Sequence, residues 1–181
     1  MEIVPLKLKG AFEVRPKVIE DPRGSFAETY KKERFEALGL DLKWVQENRS
    51  NSHRKGTIRG LHFQRPPQAQ AKLVSVMHGS ILDVIVDLRS GSGSYGEWAS
   101  VELDAKRFNS LFVPKGFAHG FCTITEETSV YYKLDAAYHP ESEDGIRWDD
   151  PDLAIDWSCE NPFLSERDKQ LGSFAEFDSP F

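Results

Sequence analysis

Through its middle the chain breaks at short, even intervals into runs rich in Val, Ile, Phe, Tyr and Trp, each closed by turn residues. That rhythm specifies an antiparallel β-fold. The predicted strands are Phe26–Tyr30, Trp44–Asn48, Thr57–Gln64, Ala71–Met77, Ile81–Leu88, Trp98–Leu103, Ser110–Val113, Phe117–Ile124 and Ser129–Leu134. Between them Asp21-Pro-Arg-Gly24, His78-Gly79, Ser90-Gly-Ser-Gly93, Pro114-Lys-Gly116 and Glu126-Glu127 read as turns. In Ile81–Leu88, alternation puts Leu82, Val84, Val86 and Leu88 on one face, expected to be sheet-on-sheet core. Ile81, Asp83, Ile85 and Asp87 take the other, mixing aliphatic and acidic groups as a ligand cavity does. Helices are few: Lys31–Leu38, with Phe35 and Leu38 inward and Gly39 as its stop, and a short one near Ser165–Leu171 with Ser165 as N-cap and Asp168 at the capping-box position. Many short strands at this spacing suit a jelly roll. No linker or repeat divides the 181 residues, so 1–181 reads as one domain.

Composition narrows the function. A net charge of −6 argues against a nucleic-acid binder. Cys122 and Cys159 form no metal-spaced pattern, which fits a reducing cytoplasmic setting. The opening residues show no signal peptide, and the most apolar run is interrupted by Asp83 and Asp87, so the chain reads as soluble, with no membrane partner.

Four features bear on chemistry. Ile58-Arg-Gly-Leu-His-Phe-Gln64 places Arg59, Leu61 and Phe63 on one strand face and Gly60, His62 and Gln64 on the other. A strand histidine is commonly structural, yet its proton affinity near neutrality makes it the default general base. Val113-Pro-Lys-Gly-Phe-Ala-His-Gly-Phe121 carries a second histidine, His119, at a tight corner. Two histidines on neighbouring strands are half of a metal site, but the second ligand of an HxH pair is Gln64 here and no Glu follows within Arg65–Gln70, so no metal is expected. In Ser129-Val-Tyr-Tyr-Lys-Leu134, Tyr131 and Tyr132 point to opposite faces, one to core and one to a cavity. Among the cations Arg23, Arg59, Lys72 and Lys169, Arg59 and Lys72 sit inside apolar strands, where a phosphate is the natural counter-charge.

Taken in order, these motifs resemble the dTDP-4-dehydrorhamnose 3,5-epimerase family of the cupin superfamily. The matching stretches include Asp21–Gly24, Val45–Asn48, Ile58–Gln64, Pro66–Val74, Asp83–Arg89, Val113–Phe121, Tyr132-Lys133 and Gly145–Pro151, spread from residue 21 to 169. The resemblance implies an all-β cupin-type double-stranded β-helix acting as a homodimer, without metal or cofactor. It implies epimerisation at C3 and C5 of dTDP-4-dehydro-6-deoxy-D-glucose. By resemblance, His62 is the base, Tyr132 the acid on the opposite face, Asp168 the carboxylate orienting His62, and Lys72 the donor to the enolate oxygen. Arg23 and Arg59 match diphosphate contacts, with Arg23 and Glu28 reaching a partner's pocket. Gln46, Glu47, Asn48, His119, Glu143 and Lys169 match substrate-lining positions, and Tyr138 an aromatic stacked on thymine. Asp83 rivals Asp168 for His62, since it lies on the polar face of its strand. The segment Arg49–Lys55, before the Gly56 turn, departs from the family's pattern and lies in or beside a loop. A single-site epimerase, a metal-dependent cupin and a non-catalytic sugar-nucleotide-binding barrel remain open alternatives.

Overall fold

The computed structural model describes residues 1–181 and is almost wholly antiparallel β. In chain order come β1 (Glu2–Pro5), β2 (Phe12–Arg15), β3 (Val18–Asp21), β4 (Gly24–Ala27), the short helix α1 (Lys32–Glu36), β5 (Gln46–Ser52), β6 (Ile58–Gln64) and β7 (Lys72–His78). There follow β8 (Ser80–Asp87), β9 (Trp98–Asp104), β10 (Ser110–Val113), β11 (Phe117–Thr123), β12 (Thr128–Leu134) and β13 (Glu143–Gly145). One sheet runs β1-β2-β10-β7-β12-β5 and the facing one β13-β6-β11-β8-β9, while β3 and β4 pair only with each other. This is the cupin-type jelly roll.

The interior between the sheets is built from Val74, Val76, Leu111, Val113 and Val130 on one side and Ile81, Ile85, Leu103, Phe117 and Phe121 on the other. It therefore takes the Ile81/Asp83/Ile85/Asp87 face of β8, not the Leu82/Val84/Val86/Leu88 face expected there. The latter packs with Ile58, Leu61, Phe63, Leu153, Trp157 and Leu164 beneath the irregular chain after β13. Both faces of β8 are covered, so apolarity alone does not tell which one meets the opposite sheet.

Single-turn α1 covers the outer face of the other sheet through Phe35, whose ring lies 6.0 Å from Phe12 and 6.4 Å from Phe112. Leu38 is exposed rather than inward, because the helix ends at Glu36 and its periodicity does not reach that far. The second expected helix is one 3₁₀ turn, Asp168–Gln170, and the Oγ of Ser165 accepts the Asp168 N–H at 3.1 Å, as a cap does. Pro22 and Arg23 form the predicted two-residue turn of the β3–β4 hairpin, with Gly24 at φ +130°. Arg49 lies inside β5 rather than in a loop, and its guanidinium donates to Ser129 Oγ at 2.8 Å on the outer face.

Candidate active site

The site begins with a break in the alternation of β6. His62 pairs with His119 of β11, but Phe121 pairs with Arg59, so β6 carries one extra residue against its neighbour. That is a β-bulge, and alternation resumes out of phase after it. Arg59 and His62 consequently open on the same cleft, whereas Leu61 and Phe63 face the apolar layer behind. The expected grouping of Arg59 with Leu61 and Phe63 is thereby corrected. Gly60, at φ +129°, makes the bulge possible: a Cβ there would fall 2.5 Å from the Cα of Gly120 and 2.9 Å from the carbonyl oxygen of His119.

Two histidine–carboxylate pairs result. His62 Nε2 meets Asp168 Oδ1 at 2.6 Å, and His119 Nε2 meets Asp83 Oδ1 at 2.6 Å. Asp83 thus serves His119, and the rivalry for His62 resolves to Asp168. Burial pushes the Asp168 carboxyl up, but its bonds to His62 and Ser165 outweigh this and hold it below the usual range, so it is ionised at neutral pH. The ionised carboxylate accepts a hydrogen bond from Nε2–H, which leaves Nδ1 of His62 with its lone pair free as a base. His119 is buried, and desolvation lowers its pKa despite Asp83, which keeps it neutral. No three of the chain's His, Cys, Asp and Glu side chains converge as a metal cluster.

Lys72, on β7 of the opposite sheet, points into the same space. Desolvation brings its ammonium down to about 8, with Asp83 and then Glu143 opposing. Its one hydrogen bond is a long 3.5 Å contact to the His62 carbonyl, so its N–H groups remain available. Tyr132, on β12 beside β7, lies in register with Val74 and shares that inward face. Tyr131 turns outward with Lys133, settling which of the adjacent tyrosines lines the cavity. His62 and Tyr132 therefore enter one cleft of about 400 Å³ from facing sheets.

Of the expected site residues, Arg59, His62, Lys72, His119, Tyr132 and Asp168 line this cleft. Arg59 is exposed, not buried; it donates to Ser52 and to the Asn51 carbonyl and to no carboxylate, leaving its charge for an anion. Gln46 and Asn48 share the inward alternation of β5 with Ser50, while Glu47 points outward and pairs with Lys133. At the rim, the Tyr138 hydroxyl donates to Glu143 Oε2 at 2.6 Å, where Arg167 also binds at 2.7 Å. Lys169 faces solvent and pairs with Glu166; Arg167 is that turn's cation in the cleft. Arg23 is held by Asp21 and Glu28 by Arg34, both on the outlying hairpin region and away from their own chain's cleft. Sequence reading missed Ser50, Thr57, Ile58, Phe121, Phe163, Leu164 and Arg167 as lining residues, and Ser165 as more than a cap. Arg167 was signalled by its place beside Asp168; the others carry no side chain that marks them.

Residues 5–176 match the family model for dTDP-4-dehydrorhamnose 3,5-epimerase. The curated enzyme of that name from Methanothermobacter thermautotrophicus is 46% identical over 169 residues, 92% of this chain and 90% of its own. A crystal structure of the Bacillus anthracis epimerase with TDP and PPi bound superposes with a TM-score of 0.93 at 44% identity, covering 96% of this chain and 99% of that one. The Legionella pneumophila epimerase, in complex with dTDP-4-keto-L-rhamnose, gives 0.93 at 40% identity over 98% and 94%.

Proposed function

The chain belongs to the dTDP-4-dehydrorhamnose 3,5-epimerase family, and from that premise we propose how its cleft performs the reaction. The protein is an isomerase that epimerises C3 and C5 of dTDP-4-dehydro-6-deoxy-D-glucose to give dTDP-4-dehydro-L-rhamnose. Inversion requires a proton to leave one face of a carbon and another to arrive on the opposite face. The C4 ketone acidifies the hydrogens at C3 and C5, so the sugar itself supplies the electron sink. His62, through Nδ1, takes the proton; Tyr132, across the cleft, returns one to the other face. Each contributes roughly 10²–10⁴ in rate. Lys72 donates to the enolate oxygen, worth roughly 10²–10³. Asp168 steadies the imidazolium formed when His62 takes its proton. The observation that carries this reading is the entry of His62 and Tyr132 into one cleft from facing sheets.

Arg59, free of any carboxylate, takes the diphosphate, and Tyr138 stacks on the thymine. Gln46, Asn48, His119 and Glu143 line the remainder of the substrate. Glu47 and Lys169 stay outside this assignment, their charges being taken by Lys133 and Glu166. The reading extends to a cytoplasmic homodimer in which residues 1–181 form one domain. Both cysteines are free, in keeping with a reducing compartment, and no helix is long and apolar enough to cross a membrane. The β3–β4 hairpin has no neighbouring strand and exposes the paired Ile19 and Phe26, at 54% and 69%. An isolated two-stranded ribbon is marginal in water. A second copy covers it and receives Arg23 and Glu28 beside its own cleft.

Incubation of the 4-keto sugar nucleotide in D₂O tests the reading by proton NMR. Deuterium at both C3 and C5 of the product is expected. Labelling at one carbon alone makes the protein a single-site epimerase, and labelling at neither removes the activity.

A further inference from the structure

Behind the cleft lies a carboxylate that the reaction as described does not use. Asp83 has no exposed surface. One of its oxygens accepts the Nε2–H of His119 at 2.6 Å, and the other is buried without a hydrogen-bond partner. Such an atom is costly to keep unless a cation nearby offsets it. His119 does not supply one, since burial holds it neutral. Lys72 shows the complementary deficit: an ammonium among buried strands whose one bond, to the His62 carbonyl, is 3.5 Å long.

The groups that face Lys72 or open on its cleft are His62 and Arg59 on β6, Asp83 on β8, His119 on β11, Tyr132 on β12, Glu143 on β13, and Asp168 and Arg167 on the C-terminal turn. Three of these are carboxylates. Asp168 is committed to His62, and Glu143 to Tyr138 and Arg167. Of the three, Asp83 alone keeps a fully buried oxygen without a hydrogen-bond partner. We propose that Asp83 is a positioning residue for the epimerisation, its buried carboxylate keeping the Lys72 ammonium charged and free to meet the negative oxygen of the enolate. His119 anchors that carboxylate from its other side. The proposal rests on the reading of Lys72 as the enolate's donor. It is supported by the balance on Lys72, where burial lowers the pKa to about 8 and Asp83 is the largest opposing influence.

Asp83→Asn keeps the shape and an acceptor for His119 while removing the charge. The alkaline limb of kcat/KM against pH is then expected to move down by at least about one pH unit, a tenfold loss of activity on that limb. The acid limb stays where it is. An unmoved alkaline limb overturns the proposal. Lys72→Ala separates the two readings. If it abolishes deuterium exchange while Asp83→Asn leaves the profile unchanged, only the role of Asp83 falls; if it exchanges at the wild-type rate, the reading of Lys72 falls as well. Should Asp83→Asn not fold, acetic anhydride labelling of Lys72 in the unaltered protein, followed by mass spectrometry across pH, decides. A midpoint near 8 is expected; one at about 5–6, where unsupported buried lysines titrate, overturns the proposal.

Discussion

Replacing Asp168 by Asn isolates the partner of the proposed base. The carboxylate is almost fully enclosed, its side chain 6% exposed, and meets His62 Nε2 at 2.6 Å. Its backbone N–H is held by Ser165 Oγ, so the turn is fixed independently of the side chain's charge. Asn preserves size but withdraws the negative charge beside the imidazolium that forms as His62 takes a proton from the sugar. A hydrogen bond to a charged group contributes about 1.5–3 kcal/mol. At about 1.4 kcal/mol per tenfold, the expected loss in kcat is roughly 10- to 150-fold. KM should change little, because Asp168 stands behind His62. The assay is the initial rate of deuterium entry at C3, measured by proton NMR at saturating substrate. A variant that keeps more than about one-third of the wild-type kcat would contradict an orienting and charge-stabilising role, as the bond is then worth less than about 0.7 kcal/mol.

Three further outcomes are expected. Burial pushes the Asp87 carboxyl up, but donation from the Arg89 side chain and backbone and from the Ser92 and Ser94 hydroxyls wins, holding it at about 2 against a usual 3.8. Its folded pKa is depressed, so the stabilisation of roughly 2 kcal/mol is complete above about pH 4 and disappears as pH falls toward 2. Asp87→Asn should lower stability at pH 7 by about that amount and make acid unfolding less steep, as followed by circular dichroism. Gly60→Ala, which drives a Cβ into the Gly120 and His119 backbone, should cost roughly 3 kcal/mol. That is a fall in Tm of roughly 6–12 °C, and an unchanged Tm would show that the bulge is not required. Phe26→Asp places a charge on the exposed hairpin and should weaken self-association by at least about tenfold with the fold intact; sedimentation giving an unaltered dimer would remove the hairpin from the interface.

Much of the architecture is readable from local pattern, because strands separated by Gly, Pro and Asp turns leave a clear period. The N-terminal strands are harder. Glu2–Pro5 and Phe12–Arg15 are short, and β2 finds its sheet only by pairing with β10, far along the chain. Among site residues, His62, Lys72, His119, Tyr132 and Asp168 come together as expected, yet Arg59 joins them only through the bulge at Gly60. A glycine inside a strand is the available signal for that change of phase. The pairing of carboxylates with histidines is not legible in one dimension: Asp83 and Asp168 both suit His62 until the sheets are assembled. Likewise Lys169 and Arg167 both carry a positive charge, and the one-turn geometry after Ser165 alone decides that Arg167 enters the cleft.

The account depends most on two proton carriers acting on opposite sides of the sugar. Tyr132→Phe measures this directly when the recovered sugar is analysed for both deuterium content and configuration in D₂O. With His62 intact, deuterium should enter at C3 while the original configuration persists, since the proton can leave and return only on the His62 side. Inverted product formed at close to the wild-type rate would mean that Tyr132 does not deliver the second proton.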